Sequence, residues 1–142
     1  MAGTPLTIDV AGSFGVPSNA TAVVVNVTGV NPSPAGYLSI YPNGAPVPTA
    51  SNLNVAAGIR VANLVETAVG VSGKVSLISN VSMDVVVDLE GYVSPTGLGG
   101  AGLYNPLATP ARICDTRAGN PSGLSGGAAQ CNGCLLYTSR CV

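Results

Sequence analysis

Three features of this 142-residue sequence predict an all-β fold, an antiparallel β-sandwich or barrel of about seven to eight short strands. Apolar and polar residues alternate with period two along most of the chain, the signature of strands with one buried face. The 19 glycines and 11 prolines punctuate it at short intervals and leave no room for a long helix. Strand-like runs recur roughly every ten residues, joined by Gly, Pro and Asn turns.

Leu6-Thr-Ile-Asp-Val10 alternates and ends at Gly12. The β-branched run Thr21-Ala-Val-Val-Val-Asn-Val-Thr28 predicts a second strand that stops at Asn31-Pro-Ser-Pro34, where proline cannot continue a ladder. Gly36-Tyr-Leu-Ser-Ile-Tyr-Pro42 alternates again and closes in Pro42-Asn-Gly44. A short strand over 52–55, a longer one over 60–69 and another over 74–78 follow, the latter two separated by Gly70 and Gly73. Met83-Asp-Val-Val-Val-Asp-Leu-Glu-Gly-Tyr-Val93 carries the strongest strand pattern. Residues 94–103 read as a glycine-rich linker. Beyond it, only 111–116 reads as a strand.

Charged residues make up 8% of the chain and hydrophobic ones 46%, against about a quarter charged in ordinary soluble domains. No apolar run approaches the roughly 18 residues of a spanning helix, so no membrane insertion is expected. With net charge −1 and five scattered basic residues there is no electrostatic footprint for nucleic acid. Strands faced with Ser, Thr and Asn suit an exported protein, secreted or on the cell surface. Met1-Ala-Gly-Thr-Pro5 leads directly into strand pattern, so an export signal is expected upstream. The absence of histidine removes Ser-His-Asp and Cys-His catalysis and every histidine-containing zinc site. A non-catalytic chain is expected, with no cofactor unless calcium.

Asp84, Asp88 and Glu90 lie at even spacing on one strand, so all three are expected on one sheet face. The plain reading is a solvated face; the alternatives are a Ca²⁺ site or, for Asp88 and Glu90 at about 7 Å, a glycosidase pair. Asp115 and Arg117 share a strand face, which suits a local salt bridge. Tyr37 and Tyr41 also share a face, and with Tyr92 nearby they would form a platform for stacking sugars; half-buried packing is the alternative. Cys114 and Cys131 are spaced for a disulfide in an oxidising compartment, with free thiols or a metal pair as the other options. Cys131-Asn-Gly-Cys134 also has redox-motif spacing. Residues 134–142, however, are encodable by a palindromic library-adaptor sequence and read as a non-native tail.

The order of motifs resembles a repeat common in exported actinobacterial proteins. The matching pieces include Ala20-Thr-Ala-Val-Val-Val-Asn-Val-Thr28, Ala35-Gly-Tyr-Leu-Ser-Ile-Tyr-Pro42, Val61-Ala-Asn-Leu64, Asp88-Leu-Glu-Gly-Tyr92 and Pro110-Ala-Arg-Ile-Cys-Asp-Thr-Arg117. The resemblance implies a structural or adhesive surface module beside other domains or repeats of the same polypeptide. A carbohydrate-binding accessory module attached to a hydrolase, with polysaccharide or cell wall as partner, is the alternative. In such repeats the Asp-Thr-Arg block opens the unit, whereas here it comes last. Residues 1–93 therefore read as a repeat lacking its opening strand, and 104–133 as the start of the next. The strand around Ile113 is then expected to fold back into the vacancy and complete the sheet as a circular permutant.

Overall fold

The computed structural model describes residues 3–95, 102–119 and 122–124. It is an antiparallel β-sandwich of two four-stranded sheets. The strands are β1 (Leu6–Asp9), β2 (Ala22–Ser33), β3 (Gly36–Pro42), β4 (Leu53–Val55), β5 (Val61–Ala68), β6 (Lys74–Ser79), β7 (Ser82–Ser94) and β8 (Leu103–Asp115). One sheet has the order β1-β6-β3-β4 and the other β5-β2-β7-β8. A single 3-10 turn over Val71–Gly73 enters β6.

The alternation read from the sequence is what builds the core. Val23, Val25 and Val27 of β2 are fully buried, as are Val85, Val87 and Leu89 of β7. From the opposite sheet Ile8, Leu38, Val75 and Leu77 meet them. Burying a Val or Leu side chain contributes about 1.5–3 kcal/mol, so the inter-sheet layer dominates the stability of a chain with so few charges.

Two strands run further than their prolines suggest. β2 continues through Asn31, Pro32 and Ser33. Its register with β7 shifts between Val30↔Asp84 and Ser33↔Ser82, so Pro32 sits in a bulge where no ladder amide is demanded of it. Asn31 takes the left-handed conformation there, at φ 51.

β8 spans Leu103–Asp115 rather than 111–116 alone. Against β7 its register jumps from Gly91↔Pro106 to Leu89↔Ala111, leaving 107–110 looped out of the ladder. As an edge strand, β8 tolerates both Pro106 and Pro110.

The fold-back of the last strand is present. β8 pairs with β7 alone in its sheet, and its Ile113 and Cys114 are fully buried in the core. The ladder starts at Ser94↔Leu103, and the Gly102 amide donates to the Ser94 carbonyl at 2.9 Å. Residues 94 and 102–103 therefore belong to a hairpin, where the sequence reads as linker. The expected tail 134–142 lies outside the described residues, as does Cys131.

Candidate functional site

The outer face of the β5-β2-β7-β8 sheet carries two features: a cluster of charges on β7 and β8, and a groove beside it.

The cluster is built by register. Asp88 on β7 stands opposite Arg112 on β8. Arg112 donates from Nε to Asp88 Oδ1 at 2.7 Å and from Nη2 to Asp88 Oδ2 at 3.0 Å. This two-pronged geometry is the strong form of an Arg–carboxylate pair. Two residues after Cys114 the chain turns, and Arg117 reaches back to Asp115. Its Nε donates to Oδ1 at 2.9 Å and its Nη2 to Oδ2 at 2.7 Å. The Arg117 amide donates to Oδ1 at 3.2 Å, and the Ser122 hydroxyl donates to Oδ2 of the same carboxylate. Ser122 also accepts from Arg112 Nη1 at 3.0 Å. One hydroxyl thus joins the two ion pairs.

Asp115 is fully buried. Burial alone would raise its carboxyl, but the hydrogen bonds from Arg117 and Ser122, with the guanidinium charge, hold it down at about 2. Asp84 goes the other way: burial raises it, and neighbouring Asp115 adds to the rise, while Thr116 opposes it. The Thr116 hydroxyl donates to Asp84 at 3.5 Å and accepts from the Val85 amide at 2.7 Å. Asp88, Pro110, Arg112, Arg117 and Ser122 line an open depression of about 550 Å³.

The charges in this depression neutralise one another. Both guanidinium groups are engaged by a carboxylate of this chain, which offsets their charge. Among the described residues no group of three or more His, Cys, Asp or Glu is gathered as a metal centre.

Asp84 and Asp88 do share the outer face. Glu90 is the extra residue of a bulge, between Val25↔Leu89 and Val24↔Gly91. That single insertion inverts the parity of the strand from Gly91 onward. Tyr92 lies opposite Val23 and packs against the core instead of standing beside the carboxylates. Tyr92 is thereby separated from Tyr37 and Tyr41, which share one face of β3 in the opposite sheet. Tyr37 is exposed, at 41%, on β3 of the opposite sheet; Tyr41 on the same strand is buried, which raises its phenol. Tyr92 faces the interior of the second sheet. Cys114 is buried and is not a free thiol; its expected partner, Cys131, lies outside the described residues.

Sequence reasoning paired Asp115 with Arg117 but missed Arg112, Ser122 and Tyr104. Tyr104 is the aromatic residue at the groove. Its ring lies over Gly91, where a Cβ would come within 2.5 Å of ring atoms. Its hydroxyl donates to the Glu90 carbonyl at 3.3 Å. Gly91, in the middle of an otherwise β-branched strand, was the available signal, because glycine there marks a close approach by another group.

Comparison with family models, with curated proteins and with solved structures returns no match to this chain.

Proposed function

We propose that this chain is a non-catalytic structural or adhesive module of a secreted or cell-surface bacterial polypeptide, one that spaces or displays neighbouring domains. The observation that carries this reading is the closed ion-pair network of Asp88, Arg112, Asp115, Arg117 and Ser122. Within it Asp88 and Arg112 join β8 to β7, and the carboxylates of Asp88 and Asp115 are both occupied by guanidinium groups of this chain. Asp88, the residue a glycosidase reading depends on, has both oxygens held by Arg112. Among the described residues no helix is long and apolar enough to cross a membrane, which fits a partner set of neighbouring domains rather than lipid. A Cys114–Cys131 disulfide belongs to the same reading and is checked by non-reducing peptide mapping.

The test combines hydrolysis and stability. The chain is incubated with a panel of polysaccharides and chromogenic glycosides, beside Asp88→Asn and Arg112→Ala. No released sugar, together with a lowered melting temperature in both variants, is the expected result. Turnover that disappears in Asp88→Asn while the fold stays as stable as the parent overturns it. The second reading, a carbohydrate-binding accessory module attached to a hydrolase, rests on the groove at Tyr104 and not on Tyr37, Tyr41 and Tyr92.

A further inference from the structure

The groove beside the charge cluster crosses the outer face of the β5-β2-β7-β8 sheet. It encloses about 610 Å³ and is lined by Val24, Leu64, Glu66, Val93, Gly102 and Tyr104. Register fixes its layout. Val24 lies between Glu66 on β5 and Gly91 on β7, so Val24 forms the floor and Gly91 lies beneath the Tyr104 phenol. Leu64 and Glu66 rise on the β5 side, and Tyr104 rises on the other.

Three strand spacings separate β5 from β8, about 14 Å between backbones, and the Tyr104 phenol reaches inward over Gly91 across part of that span. The volume holds a short oligosaccharide segment, and the groove is open to solvent along its length.

Its walls are chemically unlike each other. Tyr104 is 48% exposed and Leu64 61% exposed, both unusually accessible for side chains of that size. The phenol ring is nevertheless held in place. Its hydroxyl end packs against Gly91, where a Cβ is excluded, and the hydroxyl is bonded to the Glu90 carbonyl. The exposed remainder of the ring borders the groove. Glu66, directly across, is exposed and supplies two acceptor oxygens.

An exposed aromatic ring anchored at its hydroxyl end, an aliphatic wall and a single acceptor match an amphipathic ligand with C–H faces and hydroxyl edges. They do not match an anion, which would meet Glu66 with no cation among the described lining residues. Nor do they match an apolar helix, which would bury that carboxylate unpaired. We infer that this groove is a binding site for a neutral glycan chain, with one sugar ring stacked on Tyr104 and its hydroxyls donating to Glu66. The site is on the opposite sheet from Tyr37 and Tyr41. It also does not use the ion-pair network on which the structural reading rests, so either reading can fail without the other.

Affinity electrophoresis of the whole chain through gels containing soluble neutral polysaccharides (a β-1,3/1,4-glucan, a xyloglucan, a galactomannan and an α-glucan) tests this directly. At least one polymer is expected to retard the parent protein. Tyr104→Ala and Glu66→Ala should each weaken the retarding interaction tenfold or more, while Tyr104→Phe, which keeps the ring, and Tyr37→Ala should leave it within about twofold of the parent. Amide chemical-shift changes on titrating the retarding polymer's oligosaccharide should centre on Val24, Leu64 and Val93. Three results overturn the proposal. One is no retardation of a protein whose melting curve shows it folded. A second is retardation that survives Tyr104→Ala. The third is shift changes at these residues that track protein concentration without sugar, which would make the occupant a second copy of the chain.

Discussion

Asp88 and Arg112 face each other across the β7–β8 ladder, and their paired hydrogen bonds of 2.7 and 3.0 Å tie the last described strand to the sheet it completes. Asp88 lies in the block Asp88-Leu-Glu-Gly-Tyr92 and Arg112 in Pro110-Ala-Arg-Ile-Cys-Asp-Thr-Arg117. The blocks are far apart in sequence and adjacent in space. In this chain their charges and glycine serve strand pairing.

Arg112→Ala should destabilise the fold by about 1 kcal/mol, since the pair is partly exposed and screened on one side. Arg112→Lys should recover less than half of that, because an ammonium cannot grip both oxygens of Asp88. Urea denaturation of the three proteins at neutral pH measures the differences.

Acid should act chiefly through Asp115. Its folded value of about 2 lies below the ordinary 3.8. The ionised group therefore stabilises the fold fully above pH 4 or so, and that contribution is lost as pH falls toward 2. At about 1.4 kcal/mol per pKa unit the contribution is about 2 kcal/mol. Asp84, raised by burial, has the opposite sign: protonating it on the way down from neutral pH favours the folded state. Stability against pH should thus be level or slightly rising before it drops below pH 4. In Asp115→Asn the drop should flatten, from a lower starting point, because Arg117 loses its charged partner. Thermal melts across a pH series of both proteins measure the two profiles.

Ile113→Ala should cost about 3 kcal/mol, comparable to Leu77→Ala, because both side chains are fully buried in the same core. Thermal melts of the two variants decide the point. A loss under about 1 kcal/mol for Ile113→Ala alone would mean that β8 is not integral to the fold in solution.

Gly91→Ala places a methyl where the Tyr104 ring now lies. The ring must be displaced, at a cost of about 1 kcal/mol, the scale of an overpacked side chain. Adding Tyr104→Ala should remove most of that cost, so the double-mutant cycle should show positive coupling between two residues 13 positions apart in sequence.

Much of this was legible in the sequence, for a reason that particular elements show. β3 occupies the span that its alternation marks, Gly36–Pro42, because nothing interrupts the period-two pattern. β2 and β8 overran their expected ends because proline in a bulge is harmless, and a bulge is set by register with another strand. The same kind of event moved Tyr92. Parity counted from Asp84 puts it outside, yet the one extra residue at Glu90 turns it inward. The Asp115–Arg117 pair was readable because both partners lie two residues apart. Arg112 and Tyr104 were not, since each acquires its meaning from β7 residues 24 and 14 positions away.

The hairpin of β7 and β8 also has a mechanical direction. β8 begins beside Ser94 and ends beside Val86, so tension on the chain beyond Asp115 would act at the open end of the hairpin. It would peel rungs one at a time instead of shearing them together. The first rung to resist is Thr116, whose amide donates to the Val85 carbonyl at 2.9 Å and whose hydroxyl receives the Val85 amide. The Val86↔Asp115 rung comes next, then Asp88 with Arg112. The strongest polar links are thus gathered at the fraying tip, so a single-molecule pull in this geometry should meet its peak force at the onset and yield at lower force from there to Leu103.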